Sequence, residues 1–512
     1  MDNDSKNNLP ANVRRYAKYL LIMAGLGGLI YGIDVGVIAA ALPYIRNTSN
    51  YSSVQLGFIV GAVLWGSVLS SLFAGSLSEW LGRKKIIIAS AFCFFISIPV
   101  ICLSGLFDGG SFVLLTVGRT LQGASAGLVG VVVPMYLAEC LDSESRGKGT
   151  GMFQLLLTIG LAFAAVIGLV VTGWVGDSDK VVKAAAEANG VEVAKVTLAN
   201  IKEWVKPEQI KGWSIAWQTI FLCSAIPGLI LFLGAFGLKE SPRWLYKKGR
   251  RDEALASLAA NNGEARAKVI LDEMVAADKA AEAEKAAIAA AAKGDSLLQR
   301  KYVYPFCLAV VILACNQTTG INSVLNYTVD IFKATGMQGV FANFSDLAIK
   351  LVNVFMTIVA CALVDKKGRK FLLKLGTGGI ILGLCGVATT FLLITKGVVN
   401  ASMATGVVAT AFFFMFIAFY AVGPGVCVWL ALSELMPTRI RATGMSIAMI
   451  INQGVSATIA TIFPAWKDAW GFPAVFYCLA GFTVVYFVAA AFFLPETKGK
   501  TLEEIERYFS KK

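Results

Sequence analysis

The sequence predicts an all-α membrane protein: twelve transmembrane helices in two parallel six-helix repeats, with a cytoplasmic helical linker between them. Composition, the spacing of apolar segments and a duplicated motif set carry that prediction. Of 512 residues, 56% are hydrophobic and only 15% charged, with mean hydropathy +0.67. A soluble protein carries about 25% charged residues, so a soluble enzyme, a disordered chain and a nucleic-acid binder are excluded. The formal charge of +13 is a topology signal, as the loops show.

A bilayer core of about 30 Å takes roughly 20 apolar residues per helix. Spans 1 to 6 are expected near 18–42, 55–78, 86–106, 112–140, 150–173 and 215–238. Spans 7 to 12 are expected near 303–332, 345–364, 371–395, 402–430, 440–463 and 473–494. Arg14, Arg15, Lys18, Arg83, Lys84, Lys85, Arg146, Lys148, Lys366, Lys367, Arg369, Lys370, Arg439 and Arg441 fall on one side of these spans. The other side has little beyond Arg46, Lys333, Lys396 and Lys467. Basic short loops are retained inside, so both termini are expected in the cytoplasm. The first span lacks a small-residue cleavage site and reads as retained, which suits a multi-pass protein of an inner (plasma) membrane. Residues 239–301, rich in Ala, Lys and Glu, read as short cytoplasmic helices. The expected division is 1–240 (with an outward loop at 174–213, to which no function is assigned), 241–301, 302–494 and a tail at 495–512.

Ten cysteines stand singly in apolar stretches, and histidine is absent. No metal site is expected without those ligand sets, and no nucleophile–base pair or phosphate loop suggests an enzyme.

The halves repeat. Glu79 and Gly82-Arg83-Lys84 follow span 2, as Asp365 and Gly368-Arg369-Lys370 follow span 8. Glu139 precedes Arg146 by seven residues after span 4, and Glu434 precedes Arg441 by the same interval after span 10. Parallel six-helix halves with a midplane site are the plan of major-facilitator transporters. The acid–arginine set reads either as interfacial anchors or as a cytoplasmic latch between halves. Exposed ion pairs are individually weak, which suits a latch that opens.

A sugar site needs groups that both give and accept hydrogen bonds without adding charge. Gln154, Asn316, Gln317, Asn322, Asn326, Asn353, Asn452 and Gln453 lie inside spans, and Trp429 offers a stacking face. Intramembrane amides also tie helices together, so residue type alone leaves both readings open. Asp34 and Arg119 lie inside spans 1 and 4, where an ionisable group costs at least about 2.5–3.5 kcal/mol. Burial favours the neutral carboxyl and a nearby guanidinium the carboxylate, which gives either a proton carrier or a fixed ion pair. Gly423-Pro424-Gly425 interrupts span 10 and offers a gating hinge.

An ordered motif set resembles the sugar porter family of the major facilitator superfamily. It comprises Gly27-Gly28-Leu29-Ile30-Tyr31-Gly32-Ile33-Asp34, Gly118-Arg119-Thr120-Leu121-Gln122-Gly123, Pro134-Met135-Tyr136-Leu137-Ala138-Glu139 and Glu240-Ser241-Pro242-Arg243-Trp244-Leu245. Asn316-Gln317-Thr318-Thr319-Gly320-Ile321-Asn322, Val422-Gly423-Pro424-Gly425 and Pro495-Glu496-Thr497-Lys498-Gly499 complete it. The resemblance implies that Gln154, Asn316, Gln317, Asn322, Trp429 and Asn452 line a sugar pocket, with Tyr31 touching the sugar and Asn353 at a polar span-8 position. It also implies that Asp34 accompanies proton symport, with Arg119 as partner. Departures include Asn316 for a Gln, Asn326 for a gate aromatic, Leu161 for a Gln and Gln453 for a Trp.

The expectation is a monomeric carrier that imports a monosaccharide, hexose or pentose, by proton symport, with no cofactor beyond the coupling proton. Its partners are that sugar and the lipid bilayer, not nucleic acid. A passive uniporter or a proton-coupled polyol (inositol) carrier is the alternative.

Overall fold

The computed structural model describes residues 10–141, 143–264, 266–276, 299–437, 440–496 and 509. The side chains of 143–151, 194, 301, 361, 364–366, 429–434 and 441–442 lie outside that description. The described residues form helices joined by short turns.

Spans 1 to 6 are Ala11–Thr48, Ser53–Leu81, Arg83–Ser104, Phe112–Cys140, Ser143–Val175 and Pro207–Ala235. Span 7 is Arg300–Thr318 and Ile321–Ala334, broken at Gly320, whose left-handed φ of 81° suits a residue without Cβ. Span 8 is Gly339–Lys367 and span 9 Arg369–Thr395. Span 10 is Met403–Val422 and Pro424–Leu435, broken at Gly423 with Pro424 opening the second piece.

Among the described residues, eleven segments are long and apolar enough to cross a membrane, and the last, Thr443–Phe493, has 51 residues. A helix of that length would reach more than twice the bilayer core. It breaks at Gly471, whose φ of 75° and ψ of 163° are not helical, so this segment supplies spans 11 and 12.

Span 1 packs on span 5 and span 2 on span 4, while across the halves span 2 meets span 11 and span 5 meets span 8. Those two cross-half contacts are images of each other when the repeats are exchanged. In lipid, helices associate through close packing and hydrogen bonds rather than through burial from water. Small residues therefore set the approach. A methyl carbon on Gly32 would stand 1.9 Å from the Leu157 carbonyl oxygen, and one on Gly57 2.0 Å from that of Thr461.

The loop between spans 5 and 6 forms the helices Ser178–Ala188 and Leu198–Trp204. After span 6, Pro242–Lys247 and Arg251–Asn262 pack through Leu245, Ala254 and Leu258. Asn261 Nδ2 donates to the Cys140 carbonyl at 2.5 Å, docking these helices on the first half.

Candidate functional site

The break in span 7 arranges the amides. Asn316 and Gln317 end one helical piece, and Asn322 begins the next. Asn322 Nδ2 donates to Gln317 Oε1 at 3.0 Å and to Ser456 Oγ at 2.7 Å, tying span 7 to span 11. Asn316, Asn326 and Asn452 are buried to 2% exposure or less. Asn316 Oδ1, Asn326 Oδ1 and both polar atoms of Asn452 nevertheless have no hydrogen-bond partner among the described residues. Each such atom costs about 1–3 kcal/mol, so these amides do not serve solely as helix ties. The Tyr31 hydroxyl faces Gln453 and Ser67.

Gln154 is exposed, and its direction identifies to what. Met152, Ile159, Phe163, Val166 and Val170 form the exposed apolar stripe of span 5. At about 100° per residue, Gln154 falls on the opposite side of the helix, toward the space between the halves. Asn353 is half-buried on span 8. The Trp429 side chain lies outside the described residues.

Asp34 is 0% exposed, and neither carboxyl oxygen has a hydrogen-bond partner among the described residues. Arg119, 1% exposed, touches Asp34 through its backbone: Nη1 donates to the Asp34 carbonyl at 3.3 Å and to Gln122 Oε1 at 2.9 Å. Its guanidinium carbon lies 5.7 Å from the centre of the Phe221 ring. The two side chains are therefore neighbours without a direct bond, because Gln122 and Phe221 hold the guanidinium aside.

Of the acid–arginine set, Arg83 and Glu139 pair within the first half. Arg83 donates from Nε and Nη2 to the two oxygens of Glu139 at 2.9 and 2.8 Å, and Ser241 Oγ donates to Glu139 Oε2 at 2.5 Å. Glu240 Oε1 accepts the backbone N–H groups of Arg83 and Lys84 at 2.8 and 3.0 Å, placing a carboxylate at the start of span 3. Glu496 accepts the Arg369 N–H at 3.2 Å at the start of span 9. Gly82 and Gly368 precede these helices with φ of 97° and 88°, so the repeat extends to backbone torsion. The Glu79 side chain is exposed, and its carbonyl accepts from Trp244 Nε1 at 2.8 Å. The side chains of Arg146, Asp365, Glu434 and Arg441 lie outside the described residues. At the expected hinge, Gly423 has φ −101° and ψ −93°, followed by Pro424 and Gly425.

Two charged groups escaped the sequence reading. The first closes the halves at the face opposite the basic loops, here the far face. Lys333 Nζ, on span 7, donates to Asp177 Oδ1 at 2.6 Å and Asp179 Oδ2 at 2.8 Å. Arg46 Nη2 donates to Asp330 Oδ1 at 2.5 Å, and Gly339 N to Asp177 Oδ2 at 2.8 Å. Asn343 Nδ2 donates to Thr172 Oγ1 at 3.3 Å. Burial raises the Asp179 carboxyl, but Lys333 and Arg46 outweigh it and hold the group below its ordinary value. The signal was present in sequence: Arg46 and Lys333 were the exceptions to the basic-loop rule. The second group is Asp346 and Lys350 inside span 8.

Known proteins agree with this architecture. The family described as Sugar (and other) transporter matches residues 20–509. The major myo-inositol transporter IolT of Bacillus subtilis is 28% identical, covering 98% of this chain and 96% of that protein. The arabinose-proton symporter of Bacillus subtilis is 27% identical, covering 95% and 94%. The inward-open structure of the xylose transporter XylE from E. coli superposes with TM-score 0.74 at 23% identity, covering 95% and 98%, and shares the fold.

Proposed function

The chain belongs to the sugar transporter family of the major facilitator superfamily, and we propose that it imports a monosaccharide, hexose or pentose, by proton symport through alternating access. The observation that carries the proposal is the buried Asp34 carboxyl, which has no hydrogen-bond partner among the described residues and lies one turn from Tyr31. Residues three apart share a helix face, so one stretch of span 1 addresses both the pocket and the proton site.

Asp34 carries the proton, and Arg119 answers its charge. With Asp34 protonated, Arg119 rests on the Asp34 carbonyl, Gln122 and Phe221. Loss of the proton leaves a buried carboxylate, whose nearby counter-charge is the Arg119 guanidinium. Proton release therefore re-aims Arg119 and alters packing between spans 1 and 4. The sugar is held by Gln154, Asn316, Gln317, Asn322, Asn353 and Asn452, with Tyr31 and Trp429 against its apolar face. The unpartnered amide atoms support this assignment, since hydroxyls satisfy donors and acceptors alike. Gly423-Pro424-Gly425 lets span 10 bend, and Arg146, Asp365, Glu434 and Arg441 of the acid–arginine set secure the basic face when that face closes.

Both termini are assigned to the cytoplasm from the basic loops, which makes the far face external. The protein works as a monomer in the plasma membrane, each half supplying part of the pocket. A potential of about 150 mV supplies roughly 3.5 kcal/mol per proton, enough for accumulation of a few hundred-fold. The arabinose-proton symporter relative supports the coupling, and the myo-inositol relative favours a polyol as the second reading.

The test is uptake into proteoliposomes of a panel of hexoses, pentoses and inositol, with and without an inward proton gradient, for wild type and Asp34→Asn. Wild type concentrates one substrate, and the variant only exchanges or equilibrates it. If wild type never exceeds equilibrium and the variant behaves alike, the protein is a uniporter.

A further inference from the structure

Span 8 holds two ionisable side chains that the mechanism above leaves unused. Asp346 and Lys350 are 1% and 0% exposed, and Lys350 Nζ donates to Asp346 Oδ2 at 2.7 Å. They lie four residues apart on one helix, so the bond between them joins no two helices. Placing charges within a membrane helix is costly, and Asp346 also faces the Thr328 hydroxyl of span 7, a neutral group that does not call for a charged pair. Asp346 Oδ1 has no hydrogen-bond partner among the described residues. An ammonium has three donors, and the described bond uses one of them.

The pair belongs to a longer pattern. Asn343, Asp346, Lys350, Asn353 and Thr357 follow at intervals of three or four, so they line one face of span 8. Phe344, Leu351, Phe355 and Ile358 are exposed on the other. The polar face stands between span 7 and the first half: Asp346 faces Thr328 of span 7, while span 8 packs on span 5, where Asn343 bonds Thr172. It descends from the closed far-face seam to Asn353, with Lys350 one turn on the far-face side of that pocket position. When the halves part at the far face, this stripe becomes the wall of the entrance.

We propose that Lys350 is a specificity residue that receives a carboxylate, so that the preferred substrate is an acidic monosaccharide such as a hexuronate. This inference rests on the monosaccharide-carrier reading and names the class within it. The amides and Tyr31 take the hydroxyls, and Lys350 takes the acid group through a donor that Asp346 does not use. Asp346 takes up a proton from hydronium or buffer acid of the external solution through the open entrance as the substrate anion arrives, which keeps the three-group cluster neutral. A neutral sugar leaves the Lys350–Asp346 bond intact and gains nothing from it.

The experiment is competition against a labelled transported monosaccharide in proteoliposomes containing the full chain. The competitors are glucuronate, its neutral amide glucuronamide, and glucose. Loss of one charge-assisted hydrogen bond corresponds to about ten- to a hundredfold in affinity, so glucuronate competes better than glucuronamide by that factor. In the double variant Asp346→Asn/Lys350→Met the acid-to-amide ratio falls toward one. Its melting temperature and elution volume report whether it folds, and the wild-type comparison stands without it. Equal competition by acid and amide, or competition by glucose and glucuronamide alone, overturns the inference and leaves the carrier reading standing. If no hexose, pentose, inositol or acid is transported, the carrier reading fails first.

Discussion

Replacing Lys333 with alanine opens the far-face seam. Lys333, Asp177 and Asp179 are 13%, 11% and 28% exposed and connect span 7 to the loop after span 5. Charge-assisted hydrogen bonds contribute about 1.5–3 kcal/mol when shielded, and exposed pairs about 0–1 kcal/mol. Two mostly shielded bonds that also restrain a side chain come to about 2–3 kcal/mol in the closed conformer. The open conformer makes neither bond, so the substitution shifts the equilibrium roughly 30- to 150-fold toward it. The shift is limited because Asp177 keeps the Gly339 N–H and Asp179 keeps Asn47 Nδ2 at 2.6 Å. The assay is double electron–electron resonance between spin labels at Val54 and Val398, which are 52% and 67% exposed on opposite halves at the far face. The native cysteines are replaced in both wild type and variant. Lys333→Ala populates a longer distance, and Lys333→Arg restores much of the short one. An unchanged distance distribution in folded Lys333→Ala protein refutes the assignment of this network as the far-face closure.

The pH response follows from the lowered Asp179 carboxyl. Its contribution to closure is full above the ordinary carboxylate value of 3.8 and is lost only as pH falls through the lowered one. The short Val54–Val398 distance therefore persists from about pH 7 to pH 5, and opening within that window contradicts the pairing. Arg83→Ala breaks a pair whose members are 4% and 10% exposed, a loss of about 3–5 kcal/mol. It lowers the melting temperature markedly, and an unchanged melt denies the pair a structural role. Asn452→Ala removes an amide whose two polar atoms bond nothing among the described residues. Melting temperature holds or rises while sugar affinity falls roughly tenfold; a lower melt with unchanged affinity makes Asn452 a helix tie instead.

The repeat was legible because physics restricts the residue type at each of its positions. Only glycine takes the torsions of Gly82 and Gly368 without strain, and an arginine's planar fork matches the two oxygens of Glu139. The break in span 10 was legible for a similar reason, since Pro424 cannot continue the backbone ladder. The direction of the Arg119 side chain was not. Asp34 and Arg119 announced themselves as charges in apolar segments, but side-chain direction depends on Gln122 and Phe221, which carry no charge signal. Asp177 and Asp179 sit in a charge-balanced loop, and nothing local marks them as partners of Lys333. Asp346 and Lys350 were visible at helical spacing, yet the surrounding apolar run absorbed them into a span.

The far-face network also constrains the other face. A carrier stalls if one conformer lies many kcal/mol below the other, because a proton and a sugar can shift the equilibrium only by their differential binding. Lys333, Arg46 and their aspartates weight the far-face-closed conformer, so the opposite conformer needs a comparable set of bonds at the basic face. Arg146, Asp365, Glu434 and Arg441 stand at that face in both repeats. Arg83 and Glu139 already form a pair within one half and are not free to supply it. The two faces then compete as latches of similar strength. Substitution of Lys333 and substitution of Arg441 should move the Val54–Val398 distance in opposite directions, and the double variant should return it toward wild type. If both single variants lengthen that distance, Arg441 does not act as the basic-face latch.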